Sequence, residues 1–413
     1  MPLDFSLKKT LSRFLIAALC GAALGGSAAP FSGQISGWRG DGSGHFENAT
    51  PPIDWDGESG KNILWKTKVG LSKFSSPALV QDRVLVVAEP ARLICLDATR
   101  GKILWERTNG FADLPTPTEP KQLRNEQPNT TPTPISDGQL VYVVFGSGII
   151  ACYDLLGQRQ WIQYLEAGPG LDFGRSSSPA LSGGKLLVSI HHLFALDVKT
   201  GRVLWKNEKV LERYGTPLAT KIAGVEILVT PSGQIVRLDD GALIFTATDL
   251  NFASPIVSDS AAYFIGTSAS AVSLSKANAE RVGKSLWKTD LDGSYYASPI
   301  YAGGLLYTAS NEGNFSIINA ADGKVVVTRE LGIGSASGRP DLPNANIYSS
   351  LALAGPYLFL SNDIGDTLVL EPGKDYKELK HNHLGEGFSG APVFAGGRMY
   401  LRTKERLYCI GQK

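Results

Sequence analysis

The sequence predicts an all-β fold, an eight-bladed β-propeller of four-stranded antiparallel blades. Three observations carry this expectation. A Ser-Pro pair, or a close variant, returns eight times, at Ser76-Pro77, Thr133-Pro134, Ser178-Pro179, Thr216-Pro217, Ser254-Pro255, Ser298-Pro299, Ser349-Ser350 and Ala391-Pro392. Pro77 and Pro392 lie 315 residues apart over seven intervals, a mean of 45, and that period in a strand-rich chain is one blade per repeat. The chain ends are also out of phase in a complementary way. The last segment, Arg406-Leu407-Tyr408-Cys409-Ile410, reads as a third strand with no fourth after it. Asn62-Ile63-Leu64-Trp65-Lys66 reads as a fourth strand with no first three before it. Residues 62–68 are therefore expected to complete the eighth blade, which closes the ring and removes two open sheet edges.

Residues 1–28 read as an export signal. Lys8, Lys9 and Arg13 form its charged region, residues 14–24 its apolar stretch, and Gly25, Gly26, Ser27 and Ala28 its small-residue cleavage region. The apolar stretch is too short for an ordinary membrane span, so none is expected in the mature chain. Cys20 follows Leu19 rather than a small residue, which departs from a lipoprotein signal. Periplasmic or secreted release is expected, without a lipid anchor at Cys20. Loss of residues 1–28 removes Lys8, Lys9, Arg13 and Asp4 and takes the formal charge from +1 to −1. With no basic block, binding to nucleic acid by phosphate neutralisation is not expected. Residues 29–61 form an N-terminal extension and residues 62–413 the propeller, expected to be a monomer.

The sixth repeat shows the blade most plainly. Ser298-Pro299-Ile300-Tyr301 begins the inner strand, where proline is tolerated at the first position. Gly303-Gly304 turns into residues 305–309, and Asn311-Glu312-Gly313-Asn314 turns into residues 315–319. Ala321-Asp322-Gly323 then leads to the outer strand at 324–328, each turn having hairpin chemistry. The last turn recurs as Asp97-Ala98-Thr99-Arg100-Gly101, Asp197-Val198-Lys199-Thr200-Gly201 and Asp239-Asp240-Gly241. There Asp is expected to bond its own backbone and Gly to take positive φ. Trp65, Trp105, Trp161, Trp205 and Trp287 fall on outer strands, replaced by Phe245 and Val327 in blades four and six. Cys95, Cys152 and Cys409 share one repeat phase. Equivalent positions in neighbouring blades are about 10 Å apart, too far for a disulfide, so three buried free thiols are expected.

The loops from each outer strand to the next inner strand share one rim of the channel, and their lengths differ. Ten to 12 residues separate the Trp position from the following proline after Trp65, Trp205, Phe245 and Trp287. The interval rises to 29 after Trp105, 18 after Trp161 and 23 after Val327, counted to Ser350 in the proline position. A scaffold needing only closure would keep these loops short. Arg124, Asn125 and Asn129, then Arg175, then Arg339 and Asn346 occupy the long loops. Tyr214, Tyr295, Tyr296, Tyr348 and Phe388 stand just before inner strands. Rigid aromatics beside Arg and Asn form a candidate binding rim. No catalytic or metal-ligating residue is assigned. His191-His192 and His381-x-His383 have no identifiable third ligand and read as exposed loop histidines. Arg39-Gly40-Asp41 reads as a chance match to an adhesion tripeptide.

Residues 96–105 and 196–205 resemble the PQQ-like propeller repeat, and the likeness extends over residues 62–413. Two branches share that repeat: quinoprotein dehydrogenases and the propeller subunit of the outer-membrane β-barrel assembly machinery, BamB. The opening Gly37-Trp38-Arg39-Gly40-Asp41-Gly42-Ser43-Gly44, with Pro51-Pro52 and Trp55, is similar to exported BamB-like proteins. This resemblance implies a non-catalytic scaffold that binds a protein or peptide in cell-envelope or outer-membrane protein assembly. A small-molecule or carbohydrate binder is the second binding option. The dehydrogenase branch would instead imply PQQ over a channel-floor Trp, a calcium ion, a catalytic Asp and adjacent cysteines. The chain has no adjacent cysteines, and its blade tryptophans lie in outer-strand phase. No cofactor is therefore expected; PQQ and calcium belong only to that alternative.

Overall fold

The computed structural model describes residues 36–116, 118, 128–168, 174–212, 214–222, 224–246, 252–258, 260–274, 283–333, 345–388 and 390–412. Eight antiparallel blades follow one another around a ring. Blade one is Ala78–Val80, Arg83–Ala88, Arg92–Asp97 and Ile103–Thr108, each strand paired with the next. The inner strands of blades two to seven are Ile135–Ser136, Ala180–Ser182, Leu218–Ile222, Ile256–Val257, Ile300–Ala302 and Ala352–Ala354. Blade eight is Val393–Ala395, Arg398–Arg402 and Arg406–Gly411, completed by Ile63–Lys68 from the other end of the chain. That strand runs antiparallel to the last one, with Trp65 opposite Cys409, so the ring closes as the end phases require.

The blades adhere through the two faces of their middle strands. Side chains alternate along a strand. Leu85, Val87, Leu93 and Cys95 of blade one pack with Val141, Val143, Ile149 and Ala151 of blade two. The alternate set, Val84, Val86, Ile94 and Leu96, packs with blade eight residues Tyr400, Leu407 and Cys409. Cys95, Cys152 and Cys409 are buried free thiols. Burial pushes Cys95 and Cys409 up to about 12 and Cys152 upward as well.

The outer-strand Trp and the turn Gly of the repeat form one interblade joint. A Cβ on Gly157, Gly201, Gly241 or Gly323 would lie 2.5–2.7 Å from the ring of Trp105, Trp161, Trp205 or Trp287 on the preceding blade. All four glycines have positive φ. Each of these Trp Nε1–H groups donates to a carbonyl of the same turn, on Leu155, Val198, Leu238 or Ala320, at 2.9–3.0 Å. The turn Asp serves its own backbone: Asp97 Oδ1 accepts from Thr99 and Arg100 N–H, and Asp197 Oδ1 from Lys199 and Thr200 N–H.

The Ser-Pro motif forms a second joint nearer the axis. The Ser or Thr backbone N–H of each blade donates to the hydroxyl of its successor, along Ser76, Thr133, Ser178, Thr216, Ser254, Ser298 and Ser350, at 2.8–3.1 Å. This chain corrects the register in blade seven by one residue. Ser350 is the hydroxyl member and Leu351 occupies the proline position, because Ala352–Ala354 follows Leu351 as Ile300–Ala302 follows Pro299. Ala391 supplies no hydroxyl, so the series ends at blade seven.

A candidate binding cup at the channel mouth

The extension crosses the channel before joining the ring. Ser36 exchanges backbone hydrogen bonds with Ser136 of blade two. His45–Phe46 then lies parallel to the inner strand of blade seven. Between them Arg39 is fully buried, and its Nη2 donates to the carbonyls of Pro299 and Leu351 at 2.7 and 2.9 Å. Those carbonyls belong to equivalent positions of blades six and seven. The Arg-Gly-Asp tripeptide is thus not an exposed adhesion loop at its Arg. Further on, Trp55 is buried against Phe359, with ring centroids 6.4 Å apart.

Above this segment a cavity of about 220 Å³ opens at the mouth, with Trp38 in its lining. Its wall is built from one repeat phase, two residues before the Ser or Thr of each motif. Phe74, Thr131, Ser176, Tyr214, Phe252, Tyr296 and Tyr348 hold that position in blades one to seven, and all line the cavity. The five rings touch in sequence around the arc. Tyr214 stacks on Phe252 at 5.0 Å and 10°, and Phe252 meets Tyr296 edge-on at 4.9 Å. Tyr296 meets Tyr348 at 5.5 Å, and Tyr348 meets Phe74 edge-on at 5.8 Å. Edge-to-face and offset contacts of this kind hold rings in fixed orientations. Thr131 and Ser176 leave the remaining sector small and polar. Beneath the arc lie Ser178, Thr216, Ser254, Ser298 and Ser350, members of the hydroxyl ring.

The family model of the outer membrane protein assembly factor BamB matches residues 54–329 and, in an overlapping second match, 212–363. The chain belongs to this BamB family. Among solved structures, BamB from Moraxella catarrhalis superposes with a TM-score of 0.63 at 13% identity, over 84% of this chain and 99% of that one. A europium-containing methanol dehydrogenase superposes with a TM-score of 0.62 at 12% identity, over 91% and 98% of the two chains. These likenesses establish the propeller fold. Tetrathionate hydrolase of Acidithiobacillus ferrooxidans is 26% identical over 209 residues, 48% of this chain. The chain spans 37% of that relative's length.

In this BamB-family chain the predicted rim residues separate into three groups. Tyr214, Tyr296 and Tyr348 are in the cup. Tyr295, Phe388 and Arg175 are corrected to buried positions: Tyr295 and Phe388 sit in the blade cores, and Arg175 is 7% exposed, with burial lowering its pKa. All three lie three residues before the motif's hydroxyl position, and one step along an extended chain turns a side chain to the opposite face. Asn129 and Asn346 are loop braces. Asn129 Oδ1 accepts Ser147 N–H at 2.6 Å, and Asn346 Nδ2 donates to Asp363 Oδ2 at 3.1 Å. Arg124, Asn125 and Arg339 lie outside the described residues.

Three aromatic cup residues escaped the sequence reading, Phe74, Phe252 and Trp38, as did the hydroxyl-bearing ones. Phe74 and Phe252 were legible through the same offset that marks Tyr214, Tyr296 and Tyr348. Trp38 lies in the non-repeating extension and carries no such signal. The histidines also differ from the loop expectation. His381 and His383 lie on the outer strand of blade seven, with His381 Nε2 and His383 Nδ1 3.4 and 3.0 Å from Asp366 Oδ1. Burial pushes the Asp366 carboxyl up, but hydrogen bonds from His381, Asn362 and His383 together outweigh it and hold the group below the usual carboxylate range. Among the described residues no cluster of three His, Cys, Asp or Glu forms a metal site, and no helix is long and apolar enough to cross a membrane.

Proposed function

We propose that this protein is an exported, non-catalytic propeller scaffold of the cell envelope that captures a protein or peptide partner at the channel mouth. The carrying observation is the aromatic arc, five touching rings from five blades around a cavity that Trp38 also lines. Fixed aromatic rings at a concave site are the residues that dominate recognition energy. Membership of the BamB family supports an envelope setting and a protein partner. The test is co-purification from crosslinked envelopes with wild-type protein and a Phe252→Ala/Tyr296→Ala double variant. A partner lost in the variant, with an unchanged melting temperature, supports the reading; an identical partner set overturns it.

One observation favours a second reading. Trp38 places a Trp in the cup lining, where the resemblance to quinoprotein dehydrogenases would ask for one on the floor. The other residues do not fit that cofactor set. Calcium takes six to eight oxygen ligands, with carboxylates prominent, whereas the residues lining the cup are aromatic, hydroxyl-bearing or small. Cys95, Cys152 and Cys409 sit buried in three different blades. Dye reduction by purified protein given quinone, calcium and an alcohol or sugar would overturn the non-catalytic assignment.

A further inference from the structure

The hydroxyls under the aromatic arc have a one-sided hydrogen-bonding capacity. Ser178, Thr216, Ser254, Ser298 and Ser350 each accept the backbone N–H of the preceding blade. A hydroxyl retains one O–H to donate, and the structure gives none of these five an acceptor among the described residues. The charge below them has the matching sign. Arg39 bonds the carbonyls that directly follow Ser298 and Ser350, and its Nε and Nη1 have no partner among the described residues. Burial lowers its pKa to about 9, against the opposing charge of nearby Asp41, which leaves the guanidinium cationic at neutral pH. The guanidinium carbon stands 5.2 Å from the Trp38 ring centroid.

The base of the cup therefore offers hydroxyl donors backed by a buried cation, and the wall offers rings. We propose that the cup binds a carboxylate that carries one aromatic ring. The ring packs among Tyr214, Phe252 and Tyr296, and the carboxylate accepts from the hydroxyls of Ser254 and Ser298, within the field of Arg39. Size agrees with a single ring, because a cavity of about 150 Å³ holds benzene and this one has about 220 Å³. Two sources present this chemistry: a free aromatic acid, and a polypeptide ending in an aromatic residue. The inference rests on the cup being the binding site proposed above, and it adds the ligand's charge and shape.

Isothermal titration of the exported chain tests it with 3-phenylpropionate, 3-phenylpropionamide, and an acetylated tripeptide ending in Phe as the free acid or the amide. The expected result is one site per chain and acid binding at least about tenfold tighter than amide, about 1.4 kcal/mol. Tyr296→Ala should weaken both acids. Arg39→Gln should reduce the preference for acid over amide; if that variant fails to fold, the ratio on wild-type protein decides alone. A tripeptide acid tighter than phenylpropionate assigns the chain terminus, and equal affinities assign the free acid. Equal binding of acid and amide overturns the inference, as does tighter binding of a saccharide or a fused tricyclic quinone. If no probe binds while partner capture still depends on Phe252 and Tyr296, the carboxylate assignment fails and the partner reading stands.

Discussion

Gly323 and Gly303 make a controlled pair for measuring the interblade joint. Both are turn glycines of blade six with positive φ, +73° and +57°. A Cβ on Gly303 meets nothing within 4 Å, whereas one on Gly323 falls 2.5 Å from Trp287 Cε3 and 2.6 Å from Cδ2. In both, alanine incurs the left-handed backbone cost of about 1–2 kcal/mol, partly offset by about 0.4–1 kcal/mol from the stiffer unfolded chain. Gly303→Ala should therefore cost about 1 kcal/mol. Gly323→Ala must also displace Trp287, losing its Nε1 bond to Ala320 O, about 1 kcal/mol. It also loses part of the packing of a half-buried ring, about 2 kcal/mol if half of a core Trp→Ala loss is forfeited. The expected difference between the two variants is about 3 kcal/mol. Urea denaturation followed by tryptophan fluorescence measures it, with Gly323→Ala repeated in a Trp287→Ala background. There the Gly323 penalty should fall to about that of Gly303. Equal midpoints for the two single alanine variants, or an undiminished penalty without Trp287, would refute the joint.

Trp65→Pro places a proline inside the closing strand and removes the ring beside Tyr400. It should cost about 4 kcal/mol or more from ladder and packing losses, and an unchanged melting temperature would contradict ring closure. Cys95, Cys152 and Cys409 should resist maleimide at pH 8 in the native state and react after denaturation, with no redox-dependent band shift on gels. The depressed pKa of Asp366 contributes stability that is present above its unfolded value, about 3.9, and lost as pH falls through the folded value. The wild-type advantage over Asp366→Asn should accordingly shrink in acid, as an acid titration of melting temperature would show. Phe252→Ala/Tyr296→Ala should leave the melting temperature within about 2 °C while abolishing partner capture, since neither ring is a blade-core residue.

The fold was legible because its requirements repeat. Ser-Pro, Asp-x-x-x-Gly and Leu-Trp are joints that a ring must make at nearly every blade, so each leaves a periodic trace. The closing strand was legible from the same periodicity, through Trp65 and Cys409. The site was only partly legible, for two physical reasons. Tyr295 and Tyr296 are adjacent aromatics before one strand, yet only Tyr296 is in the cup and Tyr295 is core. Composition cannot separate neighbours that extended geometry sends to opposite faces. Counting back from the hydroxyl separates them, and it would also have excluded Phe388 and Arg175. Trp38, which lines the cup, and the buried Arg39 behind it come instead from the non-repeating extension. These residues reach the channel through contacts with blades that lie hundreds of residues away in sequence.

The places where the repeat is broken carry the specialised chemistry. A uniform ring would present eight equivalent side chains to its mouth and could not orient a ligand. Here the wall position is aromatic in blades one and four to seven, but Thr131 and Ser176 stand there in blades two and three. That asymmetry gives the cup a closed aromatic side and a small polar side. The extension adds a second asymmetry, because Arg39 hydrogen-bonds to blades six and seven, beneath the aromatic side. A ligand with both a ring and an oxygen-rich head would therefore meet its ring partners and its charge partner in one sector. The repeated joints keep that sector rigid, because each of the five hydroxyls beneath the arc is also the acceptor that fixes its blade to the preceding one. Substituting such a hydroxyl should thus alter both blade registration and ligand preference, while substituting the exposed Phe252 ring should alter ligand preference alone.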